Sequence, residues 1–308
     1  MQAPEYHFVQ SLILEVIVET GGEAMIPAAF EYYRPTDMAG VIALLQEHGD
    51  DARVIAGGHS LIPMMKLRMA EVPHLIDLQA IEGLNGIAVT GGTIRLGAMV
   101  TQHEIINSAE MEKAAPIMKE AALQIADPQV RYMGTVGGNV ANGDPGNDMP
   151  GLMQCLNAQF HLVGPEGDRV VDARDFYEAA YMTEREDEEI LTAVSFSAPV
   201  GGFAYEKQKR KIGDYATAAA AVQISKKGDK VGAASIAMTN LSDTPVWSEG
   251  AGAALVGTAC DEAAVKAAVT AMLGDIDPTE DNRGPVAFKR HAAGIVLSRA
   301  IASAWSRA

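Results

Sequence analysis

Two glycine pairs set the narrowest terms on how this 308-residue chain can fold: Ala56-Gly-Gly-His-Ser60 and Thr135-Val-Gly-Gly-Asn139, with 74 residues between them. A Gly-Gly step lets consecutive N–H groups turn into one concavity, and with no Cβ in the way a phosphate can come against the backbone. The first pair follows a buried-strand pattern, Ala52-Arg-Val-Ile-Ala56, and precedes an amphipathic stretch from Leu61 to Met69. The second lies in a glycine- and asparagine-rich run from Gly134 to Asn147, which reads as a polar loop. Taken singly, each pair also suits a plain turn between elements. The sequence contains no GxGxxG, GxxxxGK[ST] or HExxH, which argues against a Rossmann dehydrogenase or a P-loop enzyme.

Charge narrows the ligand classes. Twenty-four Lys and Arg against 40 Asp and Glu give a net charge of −16, and no basic stripe appears, so no nucleic-acid partner is expected. Any phosphate held here must be met by backbone N–H groups, helix ends and a few local cations. Cys155 and Cys260, 105 residues apart, are the only cysteines. They make neither a disulfide framework nor the four-thiolate set of an iron–sulfur cluster, and a reducing cytoplasm is expected. The apolar stretch Ser11–Val18 is short, interrupted by Glu15 and preceded by Glu5, so neither an export signal nor a membrane span is expected. Gly21-Gly22-Glu23-Ala24 before Met25 can be encoded by a purine-rich ribosome-binding sequence. Residues 1–24 are therefore either an extension upstream of the true start or a genuine N-terminal arm.

Along the chain, a helix is expected over Thr36–His48 with Gly49 as its cap, then strands at Ala52–Ala56 and His74–Leu78, making a small unit with parallel strands. A hairpin follows over Gly86–Gly97 around Gly91-Gly92, then helices over about 115–126 and 148–157. Strands around His161 and Val170, a helix near 173–182 and a strand near 190–197 complete this part. Pro199-Val-Gly-Gly202 is the expected boundary; beyond it come strands at about 203–209, 216–226 and 230–240, and helices near 261–273 and 285–306.

The combination of the two glycine pairs at this spacing resembles the two FAD pyrophosphate loops of the flavin subunits of molybdenum hydroxylases, which share the p-cresol methylhydroxylase-type fold. The similarity runs from about Met25 to the C-terminus. Within that family, Asp127-Pro-Gln-Val-Arg-Tyr-Met-Gly134, Asn142-Gly-Asp-Pro-Gly-Asn-Asp-Met-Pro150 and Lys209-Arg-Lys-Ile-Gly-Asp-Tyr-Ala-Thr-Ala218 look most like the medium subunits of aerobic carbon monoxide dehydrogenases. The implied fold class is α+β: an FAD-binding domain over 25–200, in α/β subdomains of about 25–80 and 81–200, then a C-terminal domain over 201–308 with a three-stranded antiparallel sheet and helices.

By the same resemblance, Ala56, Gly57, Gly58, His59 and Ser60 would wrap the FAD diphosphate together with Thr135, Val136, Gly137, Gly138 and Asn139. Gly137→Val is expected to crowd the loop and abolish FAD binding in a folded chain. Asp148 matches the family acid that contacts the flavin nucleotide; it also suits a helix N-cap. Tyr215 would lie against the isoalloxazine face, or else pack as a strand tyrosine. Four cations crowd Lys207–Lys211, and Lys209 would approach the FAD if the run is more than a solvated face. Cys155 falls among apolar residues of the 148–157 helix, which suits a buried role rather than redox chemistry.

The resemblance further implies an electron-transfer subunit. Carbon monoxide would be oxidised at a molybdenum–copper centre in a large partner subunit, and electrons would cross [2Fe–2S] clusters of a small one. They would pass through FAD here to a quinone-type acceptor. A dimer of heterotrimers is implied, cytoplasmic and touching the inner membrane face. The alternatives are the same flavin role with a purine, aldehyde or heterocycle substrate, and a flavin-free scaffold.

Overall fold

The computed structural model describes residues 25–308, so the two readings of residues 1–24 lie outside them. Three parallel strands, β1 (Glu31–Tyr33), β2 (Ala52–Ile55) and β3 (His74–Asp77), form a sheet of order β1-β3-β2. Helix α1 (Met38–His48) begins where the Asp37 carboxylate accepts the Gly40 N–H at 2.8 Å, and ends at Gly49, whose φ of +51° suits glycine. The stretch expected to be helical from Leu61 to Met69 closes early as α2 (Leu61–Lys66), because Arg68 turns left-handed at φ +57°. Strand β1 is too short for its period to show in the sequence.

The expected hairpin is β4 (Ile87–Thr90) and β5 (Thr93–Gly97), with both glycines of its turn at positive φ. Six helices follow: α3 (Gln102–Asn107), α4 (Ala109–Ala114), α5 (Pro116–Gln124), α6 (Pro128–Met133), α7 (Val136–Ala141) and α8 (Asp148–Cys155). Helix α7 corrects the loop expected over Gly134–Asn147: Thr135 caps it, its hydroxyl accepting the Gly138 N–H at 3.1 Å. Hairpin β6 (Gln159–Gly164) and β7 (Gly167–Asp172) matches expectation, but the helix expected near 173–182 is instead the pair β8 (Tyr177–Ala179) and β9 (Met182–Thr183). There Phe176 and Tyr177 pack edge-on against Phe160 and each other, and the chain reverses through Tyr181 at φ +62°. With β10 (Ile190–Ser197) the antiparallel sheet has the order β4-β5-β10-β6-β7.

The last sheet is antiparallel in sequence order, β11 (Gly202–Gln208), β12 (Ala218–Lys227), β13 (Lys230–Thr239) and the two-residue β14 (Val246–Trp247), one short strand more than expected. Helices α9 (Glu249–Leu255), α10 (Glu262–Asp275) and α11 (Val286–Arg307) complete the chain. The run of alanines in β12 reads as unbroken apolar sequence because both faces are buried. Ala219 and Ala221 join the core beneath α8, while Ala218, Ala220 and Val222 join the second core, which α11 covers and to which α9 and α10 also contribute. Small side chains let α8 come close: a Cβ on Gly151 would stand 2.2 Å from the Thr239 hydroxyl. Among the described residues, no helix is long and apolar enough to cross a membrane.

Candidate cofactor site

Strand β2 delivers the chain to the carboxyl end of the parallel sheet, where open α/β sheets present their ligand crevices. From there Ala56 to Ser60 turn into α2, with Gly58 at φ +73°. Gly57 is held where a Cβ would stand 2.2 Å from the Met133 carbonyl oxygen, and a Cβ on Gly138 would stand 3.5 Å from that of Ala56. The two glycine loops therefore abut. The backbone N–H groups from Ala56 through Leu61 donate no hydrogen bond among the described residues. Six successive donors with no acceptor among the described residues, turned by Gly58 at positive φ, are suited to cradle negative charge. The Ser60 hydroxyl at the α2 N-cap position makes no capping bond.

The second loop is built on different terms. Its Val136 and Gly137 N–H groups donate to the Val100 and Ala98 carbonyls at 2.8 Å, and the Asn139 N–H to that of Thr135 at 3.1 Å. Since Gly138 N–H is taken by the Thr135 hydroxyl, these four donors are spent in fixing α7. At Gly137 a Cβ would lie 2.7 Å from the Ala98 carbonyl oxygen and 2.8 Å from its Cα. The glycine is required by close packing, which corrects the expectation for Gly137→Val: valine there collides with backbone and damages the fold itself.

A cavity of about 680 Å³ opens between the loops, within the range for small-molecule sites. Every residue expected at the site from the sequence lines it except Val136 and Lys209. Val136 is fully buried in the core. Lys209 turns its ammonium toward the Gln124 carbonyl at 3.3 Å, and burial followed by the neighbouring Lys207 pushes its pKa down.

Lys207, which the sequence left in a charge run, lines the cavity in a buried ion pair with Asp148 at 2.7 Å, the two side chains being 1% and 6% exposed. Tyr205 donates its hydroxyl to the other Asp148 oxygen at 2.5 Å. Burial pushes the Asp148 carboxyl above the usual carboxylate range, with Lys207 and Tyr205 working against it. Asn147 holds the N-cap position of α8, so Asp148 spends its carboxylate on strand β11 rather than on its own helix. Asn139 joins α7 to α8: its carbonyl accepts from the Asn147 amide at 2.9 Å, and its side-chain oxygen accepts the Met149 N–H at 3.3 Å. The i, i+2 spacing of Tyr205 and Lys207 on one strand face was the available signal for this pair.

At the cavity mouth the Tyr215 ring lies on Gly146, where a Cβ would meet it at 2.7 Å, and its hydroxyl donates to Asp144 at 3.1 Å. Burial pushes its hydroxyl pKa up. Gln102, also unforeseen, lines the cavity with its side-chain oxygen and nitrogen buried and unpartnered among the described residues. Each such atom costs about 1–3 kcal/mol. Cys155 is buried as expected, its thiol donating to the Ser235 carbonyl at 3.3 Å, and burial pushes its pKa up to about 12. Among the described residues no group of three or more His, Cys, Asp and Glu could hold a metal ion.

Residues 28–199 match the model of the FAD binding domain in molybdopterin dehydrogenase, and residues 203–304 match that of the CO dehydrogenase flavoprotein C-terminal domain. The carbon monoxide dehydrogenase medium chain of Afipia carboxidovorans is 53% identical over 92% of this chain and 99% of its own length. That of Hydrogenophaga pseudoflava is 44% identical over 92% and 99%. In the solved structure of reconstituted CO dehydrogenase from Oligotropha carboxidovorans, one chain superposes with a TM-score of 0.91 at 53% identity, covering 92% of this chain and all of that one.

Proposed function

The chain belongs to the family of FAD-binding proteins of molybdopterin dehydrogenases, and from that premise we propose that it is the FAD-carrying medium chain of an enzyme that oxidises carbon monoxide. The observation that carries the reading is the run of six backbone N–H groups at the carboxyl end of β2 that have no acceptor among the described residues, on residues lining a cavity closed by a second glycine segment. In a chain of net charge −16, such a nest supplies the positive potential that a diphosphate needs. Bound FAD would link one-electron carriers on one side to a two-electron acceptor on the other.

The chain's own residues divide the remaining work. Ala56–Leu61 would hold the diphosphate, and α7, with its donors satisfied internally, would form a fixed wall opposite. Lys207 and Tyr205 fix the Asp148 carboxylate and keep its charge compensated in the cavity wall. Tyr215, laid on Gly146 and tied to Asp144, would bound the ring end and limit water access. Electrons would arrive from [2Fe–2S] clusters of a small partner chain, with carbon monoxide handled at a molybdenum–copper centre in a large one. A quinone-type acceptor at the inner membrane face, and a dimer of such three-chain units, belong to the same proposal. The relatives' names support the medium-chain role.

The test is to purify the complex from its native host, release the flavin by denaturation and identify it. One FAD per copy of this chain is expected; FMN, or no flavin, would overturn the reading.

A further inference from the structure

Resting on the reading of the cavity as an FAD site, we propose that Gln102 binds a sugar-like hydroxyl of the dinucleotide beside its diphosphate. Gln102 opens α3, and its backbone N–H donates to the Gly134 carbonyl at 2.9 Å, which pins it behind the second glycine segment. The preceding residue, Thr101, bridges to Thr135. The side chain lines the cavity yet is only 1% exposed, and neither its oxygen nor its nitrogen has a partner among the described residues. Buried polar side-chain atoms are nearly always bonded, so two orphans on one amide facing a cavity point to a ligand that supplies both partners.

The chemistry of that ligand group follows from the amide, which offers acceptor and donors at one point. A diphosphate accepts but cannot donate, and its charge would be met by the N–H groups of Ala56–Leu61, which have no acceptor among the described residues. In a flavin dinucleotide the diphosphate is flanked by hydroxyl-bearing chains, the ribityl on the flavin side and the ribose on the adenine side. A hydroxyl both donates and accepts, so one or two neighbouring hydroxyls satisfy the whole amide.

Gln102→Leu keeps the bulk and removes both orphan atoms. Flavin-depleted complex, wild type and variant, is titrated with FAD and separately with ADP, and the isolated full chain is melted without flavin. The proposal predicts FAD affinity at least about tenfold weaker with a thermal midpoint equal to or above wild type, because the unliganded chain loses two unpaired buried groups. Unchanged ADP affinity then assigns the contact to the ribityl hydroxyls, and equally weakened ADP affinity assigns it to the ribose. Unaltered FAD affinity overturns the proposal, as does a fall in midpoint that accompanies the loss of affinity, which marks a structural glutamine. A wild-type complex that takes up no FAD would instead overturn the underlying reading, and this inference with it.

Discussion

At Gly57 one added carbon would meet the Met133 carbonyl oxygen at 2.2 Å, and because that neighbour is backbone it cannot swing aside. Gly57→Ala should therefore part the two loops, cost roughly 1–3 kcal/mol in urea unfolding, and leave the purified complex with little flavin. Full flavin content in that variant would show that the nest does not hold the cofactor. Lys207 makes a second single-residue case, since removing it leaves the Asp148 carboxylate buried without its cation. Lys207→Met is expected to cost about 3–5 kcal/mol near neutral pH. Asp148 has its folded pKa raised by burial, so the native state binds its proton more readily than the unfolded chain. Stability through this group thus falls as pH rises from the unfolded pKa through the folded one. Loss of Lys207 raises the folded pKa further, so the deficit of the variant should shrink at acid pH, where Asp148 is protonated. Urea midpoints of both proteins at about pH 5 and about pH 8 measure this.

Among the elements, α8 carries the most weight for its length. Every one of its eight residues is buried, between α7 on one side and β12, β13 and β14 on the other. Its cavity-facing end holds Asp148, so packing of the helix and placement of the carboxylate are one event. Leu152→Ala, with the side chain fully buried, should cost about 2–5 kcal/mol in urea unfolding; a cost below about 1 kcal/mol would mean that the site can collapse around the loss. This helix was legible in the sequence because Pro150 suits its first turn and Met149, Leu152, Met153 and Cys155 keep it predominantly apolar. Helix α7 was not: two glycines and an asparagine in six residues oppose helix formation locally, and the segment is held by the bonds of Val136 and Gly137 to the carbonyls of Val100 and Ala98, just after β5. The converse error fell at 173–182, where alanines, Glu178 and Met182 favour helix but edge-to-face packing of Phe176 and Tyr177 on Phe160 decides for strands. Both glycine segments were visible as motifs, whereas Gln102 and the pairing of Tyr205 and Lys207 with Asp148 depend on contacts between residues 57 or more positions apart or on cavity shape.

The whole molecule places one cofactor cavity against a shared core. The four-stranded sheet is buried on both faces, one against α8 and the other against α11, whose last arginine reaches back to Glu120 on α5 at 2.6 Å. Strand β11 of that sheet carries Lys207 to the cavity and Tyr205 to the Asp148 carboxylate in its wall, so the C-terminal sheet completes a site begun by the first glycine loop. Under the proposed function, a chain with two separate cysteines and no iron–sulfur ligand set in its sequence would serve as one station in a longer electron path. The central claim is that this station is a flavin reduced by electrons from carbon monoxide. Its most direct test is the visible absorption spectrum of the complex from its native host, recorded before and after anaerobic addition of carbon monoxide. The account predicts flavin and iron–sulfur bands that bleach together on addition. A flavin band that persists while the iron–sulfur bands bleach, or a complex without a flavin band, would contradict it.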